Sequence, residues 1–307
     1  MDVQNSPPDY LTTREVAELL RVKERKVYEM AAAEEIPCRR VTGKLLFPRV
    51  ELEAWLVGDT PQNVNRRSAG KTAPAPRAAP ANVVAGSHDP LLDWAIRESG
   101  SGLATFFDGS LDGLQRVAAG EAVAGGLHVF EPESGGWNAG HVRAVLGDAP
   151  AVLVEWAKRR QGLILSSERA ATVHGIADLR GKRLVRRQPA AGAGLLLKHL
   201  LQEAGIGAED VSFCDDIART ETDAAVAVAS GRADAALGLE AMARQFGLAF
   251  VPTVEERFDL VVDRRSWFEP PFQALLTFCR GDAFAAKARE LGGYDLSGHG
   301  RVQWNGA

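Results

Sequence analysis

VVAGSHDPLLDWAIRESGSGLATFFDGSLDGLQRVAA, residues 83–119, twice runs from an apolar stretch through a Gly-Ser step into a helical pattern. Val83-Val84-Ala85 leads to Gly86-Ser87-His88-Asp89-Pro90, where Asp89 suits a helix cap and Pro90 the first helical position. Leu103-Ala104-Thr105-Phe106-Phe107 then leads to Asp108-Gly109-Ser110 and a second helix, Leu111 to Ala119. The alternation continues with strand patterns at Val123 to Phe130 and Leu163-Ile164-Leu165 and helical patterns at Leu195 to Ala204 and Asp223 to Ala229. It predicts an α/β, doubly wound body of parallel sheets. Ligands of such bodies sit beyond the carboxyl ends of the strands, against helix N-termini. Ser87 and Ser110 are therefore candidate ligand hydroxyls, or simply helix caps.

Upstream, residues 58–85 hold four of the 15 prolines and almost no large apolar side chain before Val83. Such a segment cannot repay its ordering entropy and reads as a linker between residues 1–57 and 86–307. The formal charge of −4 divides as −1, +3 and −6 over residues 1–57, 58–85 and 86–307. With 46% hydrophobic and 25% charged residues, the composition excludes a disordered chain and a fibre. Three scattered cysteines without a C-x-x-C pair indicate neither a disulfide framework nor a zinc site, which fits a cytoplasmic protein. No stretch has the length of a membrane span, and Met1 to Tyr10 lack a secretory pattern.

Thr12-Thr13-Arg14-Glu15 has the form of a capping box and opens a run in which Val16, Ala17, Leu19 and Leu20 recur at helical spacing. A second run carries Val27, Met30 and Ala31 and exposes Lys23, Arg25, Lys26 and Tyr28. Arg39, Arg40 and Lys44 flank Val41-Thr42-Gly43, where a small hairpin can turn. Eight basic residues stand against four acidic ones between Arg21 and Arg49, the footprint of phosphate binding, although a small protein-binding module has the same outline.

The run YLTTREVAELL through LEAWL, about fifty residues ending at Leu56, resembles the excisionase-type winged helix-turn-helix related to the MerR DNA-binding module. That resemblance implies operator DNA as partner, with Thr13, Lys23, Arg25, Lys26 and Tyr28 at the reading helices and Arg39, Arg40 and Lys44 on the wing. Five ordered motifs follow the linker: GSHDPLLD (86–93), GSLDGL (109–114), RRQGL (159–163), AVAVASGRADAALG (225–238), and LAFVP with ERFDLVV (248–262). Together they resemble the periplasmic-binding-protein-like domain of cytoplasmic regulators, a relative of type 2 molybdate and tungstate binding proteins. The resemblance implies two α/β lobes closing on a ligand. It assigns Ser87, Asp89, Ser110, Trp137, Asn138, Arg159, Gln161, Arg187, Gln188, Gly192, Glu221 and Thr222 to the ligand. Two departures from the family pattern weigh against a bare oxyanion: Ala190-Ala191-Gly192-Ala193-Gly194 lacks the usual hydroxyls and arginine, and Asp223 replaces a histidine.

Ser87-His88-Asp89 has the residue types of a hydrolytic triad, but adjacent residues do not reach triad geometry, and the histidines lack metal-ligand spacing. Among the six tryptophans only Trp137, in the Ser134-Gly135-Gly136 loop, is placed for a ligand. The two resemblances together imply a non-enzymatic, homo-oligomeric transcriptional regulator with no required cofactor. Its effector would be a small molecule or an oxyanion related to molybdate, tungstate or molybdenum cofactor. The alternative is an accessory protein that delivers such a ligand without binding DNA.

Overall fold

The computed structural model describes residues 10–20, 22–32, 36–41, 44–49, 52 and 80–306. The chain divides into two compact units, Met1–Ala75 and Pro76–Ala307. Arg21, the Thr42-Gly43 turn, Trp55 and linker residues 58–79 lie outside the described residues, as do the side chains of Arg39, Arg40 and Lys44.

In the first unit, strand β1 (Tyr10–Thr12) runs into helix Thr13–Leu20, followed by helix Glu24–Ala32, β2 (Arg39–Val41) and β3 (Lys44–Pro48). The capping box forms: Glu15 Oε2 accepts from the Thr12 N–H and hydroxyl at 2.7 and 2.8 Å. These bonds hold the Glu15 carboxyl below its ordinary pKa. β3 pairs antiparallel with both β1 and β2. Leu11, Val16, Ala17, Val27, Ile36, Phe47 and Leu52 form the core between helices and sheet.

The second unit begins on β4 (Val83–Gly86), so three residues assigned to the linker belong to its first strand. Asp89 caps helix Pro90–Glu98, accepting from the Leu92 N–H at 2.7 Å. β5 (Ala104–Phe107), helix Ser110–Ala119 and β6 (Ala124–Leu127) complete a parallel β6-β4-β5 layer. The expected strand Val123 to Phe130 is interrupted: β6 ends at Leu127, and β7 (Phe130–Glu131) pairs instead with β8 (Gly136–Trp137). After helix Ala139–Leu146 comes β9, a 15-residue strand from Ala151 to Leu165.

Beyond it, β10 (Arg183–Arg187), helix Gly192–Glu203, β11 (Ser212–Ala218), helix Glu221–Ala229 and β12 (Ala235–Leu239) build a second layer. β13 (Ala249–Asp263) then returns antiparallel along the whole of β9. Two short strands, β14 (Tyr294–Asp295) and β15 (Val302–Asn305), pair with β9.

The strand order β11-β10-β12-β9-β13-β6-β4-β5 corrects the expectation of wholly parallel sheets. β9 and β13 run against their neighbours because they cross between the two parallel layers and join them. They define two lobes, and β9 is buried along most of its length, as befits a strand covered on both faces. Separate cores fill the lobes: Leu91, Trp156, Phe258, Phe272 and Phe284 in the first, Leu163, Leu184, Leu196, Leu201 and Leu237 in the second. No helix among the described residues is long and apolar enough to cross a membrane.

Candidate functional site

Side chains two apart on a strand share a face, so Arg159 and Gln161 of β9 point the same way. Arg159 is buried, with Nη1 donating to Asp89 Oδ2 at 2.9 Å and Nη2 to Glu256 Oε1. Its guanidinium lies 4.2 Å over the Phe258 ring. Burial opposes its charge, but the carboxylates of Glu256 and Asp89 outweigh burial and raise its pKa. Glu256 is the counterpart: burial pushes its carboxyl up, and Arg159 and His128 bring it below the usual range.

From Glu256 the network continues to His128, whose Nδ1 lies 2.8 Å from Glu256 Oε2 and whose Nε2 lies 2.8 Å from Ser87 Oγ. An ionised carboxylate only accepts, so Nδ1 carries a proton toward Glu256, and a neutral ring then accepts the Ser87 hydroxyl proton at Nε2. This is the serine–imidazole–carboxylate order of an activated hydroxyl, assembled from residues far apart in sequence. The neighbouring His88 and Asp89 take no part in it. Ser110 opens its helix and accepts from the His128 N–H at 3.3 Å.

The second lobe closes over this floor. The Leu111 N–H donates to the Ala190 carbonyl at 3.1 Å, and Gln188 Nε2 reaches Asp108 Oδ1 at 3.3 Å. Arg219 Nη1 pairs with the same Asp108 oxygen. Gly192 opens helix Gly192–Glu203 directly against His128: a Cβ there would lie 2.5 Å from the His128 carbonyl oxygen. Only glycine permits so close an approach.

Between the lobes lie buried polar atoms without hydrogen-bond partners: both amide atoms of Gln161, both oxygens of Glu221, Nε and Nη1 of Arg187, Nδ1 of His88, Oε1 of Gln188 and Nε of Arg159. Arg187 Nη2 is 3.0 Å from Glu221 Oε1, an ion pair by distance that lacks hydrogen-bond alignment. Burial lowers the His88 pKa, while Glu221 and Asp89 act to raise it and Arg187 to lower it, which places these groups within electrostatic reach of one another. Thr222 is half-buried and, with His88, lines a cavity of about 710 Å³ that adjoins this cluster.

Several residues expected at the ligand serve the frame instead. Asp89 uses both oxygens on Leu92, Trp156, Arg159 and Tyr294. Asn138, at φ 65°, accepts from the Val129 N–H at 2.6 Å and donates to Asp259 at 2.8 Å, so its amide is already employed. Trp137 packs edge-on against Phe130 in the second lobe's core. Asp223 does not face the ligand cluster: it is exposed and caps its own helix, accepting from the Thr220 N–H at 3.0 Å. The cleft carboxylate is its neighbour-but-one, Glu221.

In the first unit, Lys23, Arg25, Lys26 and Tyr28 are all exposed around helix Glu24–Ala32, whose Val27 is buried. Arg25 pairs with Glu29 at 3.1 Å, an exposed pair one helical turn apart. Thr13 is buried at the head of its helix and does not belong to that exposed face.

Comparison with known proteins gives a family match in each unit. A model of the PBP superfamily domain matches residues 94–280, and a helix-turn-helix domain model matches residues 10–57. The chain is 27% identical over 303 residues to the uncharacterized protein YvgK of Bacillus subtilis (strain 168), covering 95% of this chain and 96% of that protein. It is 37% identical over 76 residues to an uncharacterized protein in the ferredoxin 2Fe-2S gene 5' region of Clostridium pasteurianum, covering 24% of this chain and 67% of that protein. Among solved structures, a putative phosphate ABC transporter substrate-binding protein from Clostridium perfringens is similar at a TM-score of 0.48 and 10% identity, over 68% of this chain and 96% of that one.

Proposed function

The chain belongs to the PBP superfamily, and from that premise we propose that its second unit senses a small molecule and its helix-turn-helix reads operator DNA. The chain is then a ligand-responsive transcriptional regulator. The observation that carries this reading is the set of buried, unpartnered polar atoms of Gln161, Glu221, Arg187 and His88 held between closing lobes. Buried polar groups are normally satisfied, so such a cluster is the imprint of a ligand. Ser87, Arg187, Gln161, Glu221 and Gly192 form the contact set, while Lys23, Arg25, Lys26 and Tyr28 face DNA.

A helix-turn-helix reader commonly works as a two-fold dimer on paired half-sites, and the proposal therefore includes a homodimer. Its work places it with the DNA, in the cytoplasm. An effector can shift DNA affinity only by its own differential affinity for open and closed lobes.

The test is a gel-shift titration of the full chain on the DNA upstream of its own gene, at two salt concentrations. The double variant Arg25→Ala/Lys26→Ala is expected to bind at least ~10-fold more weakly, with a salt slope smaller by up to roughly two, because two cations facing the polyanion are removed. No binding by the wild type at low salt, or an unchanged double variant, overturns the reading.

A further inference from the structure

The same cluster says what kind of molecule the cleft takes, an inference that rests on reading the cleft as the effector site. Three acceptors have no partner, Glu221 Oε2, Gln161 Oε1 and Gln188 Oε1, and a fourth, Glu221 Oε1, has only the misaligned Arg187 Nη2 at 3.0 Å. Five nitrogens have no partner either: Gln161 Nε2, Arg187 Nε and Nη1, Arg159 Nε and His88 Nδ1. A buried acceptor without a donor costs as much as the reverse, so a ligand that completes this set brings hydrogens as well as lone pairs. Ser87 adds to the demand: with a neutral His128 ring its hydroxyl proton is directed at Nε2, 2.8 Å away, and the buried oxygen keeps its lone pairs for a donor.

Charge points the same way. Arg159 and Arg187 stand against Asp89, Glu221 and Glu256, all with buried side chains, for a formal sum of −1 with the imidazoles counted as neutral. A tetrahedral dianion would bring two more negative charges into a water-poor enclosure and carries no hydrogen to satisfy Glu221 or Gln161.

We infer that the cleft binds a small nitrogenous molecule whose N–H donors, an ammonium or amino-amidine edge, face Glu221 and Gln161, and whose carbonyl or carboxylate faces Arg187. A free amino acid and an aminopyrimidine-type heterocycle both carry this chemistry. Molybdate and tungstate do not.

Calorimetry and thermal shift on the full chain separate these classes. The probes are L-arginine and L-glutamine, then guanosine and pterin, then sodium molybdate and sodium tungstate. At least one probe of the first two arms is expected to bind, and the arm that responds identifies the source. Glu221→Gln, nearly isosteric, replaces one acceptor oxygen by a donor and is expected to weaken that probe at least ~10-fold, with a native circular dichroism spectrum. The two anions are expected to give no heat with the wild type.

Molybdate or tungstate binding that is unchanged or tightened by Glu221→Gln overturns the inference and leaves a sensing cleft in place. Silence from all four nitrogenous probes also overturns it. Failure of the regulator reading is distinguishable, because it appears as loss of DNA binding in the gel shift whatever the cleft binds.

Discussion

Asp259 shows how one buried carboxyl sets a pH dependence. It accepts from Arg257 Nε at 2.9 Å and from Asn138 Nδ2 at 2.8 Å. Burial nevertheless dominates and pushes its pKa from 3.8 up to about 6. The folded state therefore holds this proton more tightly than the unfolded chain between those values. A raised acid contributes fully below the unfolded pKa and loses its contribution as pH rises through the folded one. The loss across pH 4 to 6 corresponds to roughly 3 kcal/mol for two pKa units. Urea unfolding of the wild type and Asp259→Asn at pH 4, 5, 6 and 7 checks this: the wild type is expected to lose stability relative to the variant as pH rises. A constant difference across the four values would exclude it. Such residues are only partly legible in sequence. Ser87, Arg159 and Glu256 all stand in recognisable motifs, but that Glu256 meets Arg159 is visible only through strand pairing, since the two are opposite in the β9–β13 register. The triad-like order Ser87–His128–Glu256 was invisible for the same reason, whereas Ser87-His88-Asp89 advertised residue types without geometry.

Helix Ser110–Ala119 lies very close to the strand it covers. A Cβ at Gly113 would stand 2.3 Å from the Gly86 Cα, so helix and β4 touch backbone to backbone. Gly113→Ala has to separate them, and overpacking of this kind costs about 1–3 kcal/mol although alanine is the better helix former. Chemical denaturation of the full chain followed by tryptophan fluorescence measures it. A neutral or stabilising effect would mean that the helix can lift without cost. Strands β4 and β5 of the first lobe, the helix that opens at Ser110, and helices Gly192–Glu203 and Glu221–Ala229 of the second follow from local patterns to within a few residues, whereas β10, β11 and β12 carry no strand pattern that the sequence reading picks out. The two long crossing strands do not follow either. Only Leu163-Ile164-Leu165 of β9 showed a strand pattern, because Lys158, Arg159, Arg160 and Gln161 interrupt the apolar run. Two of those polar residues, Arg159 and Gln161, are buried in the candidate site, so the feature that hid the strand is also what brings polar groups to it. Trp137 misled in the opposite sense: a glycine-rich loop suggested a ligand contact, yet strand pairing of β7 with β8 folds the indole into the second lobe.

At the scale of the whole second unit, the proposed sensing depends on whether the lobes open, and Asp108 makes polar contacts across the cleft. Asp108 carries much of the connection, receiving Gln188 Nε2 at 3.3 Å and pairing with Arg219. Arg219 and Asp108 are 60% and 32% exposed, so this latch is screened by water and contributes modestly. A modest latch suits a switch, since a ligand must be able to bias the equilibrium with its own binding energy. The Leu111 N–H is a built-in reporter, because it donates to the Ala190 carbonyl of the opposite lobe at 3.1 Å and is released when the lobes part. Asp108→Ala is expected to raise hydrogen exchange in the peptide containing Leu111 several-fold, while peptides from β9 and β13, buried in the continuous sheet, keep their protection. If exchange at Leu111 does not respond, Asp108 is not a closure contact. If β9 and β13 respond as well, the variant loosens the fold rather than the cleft. A bound effector should then restore protection at Leu111 in the variant, because closing contacts supplied by the ligand replace the ones removed from Asp108.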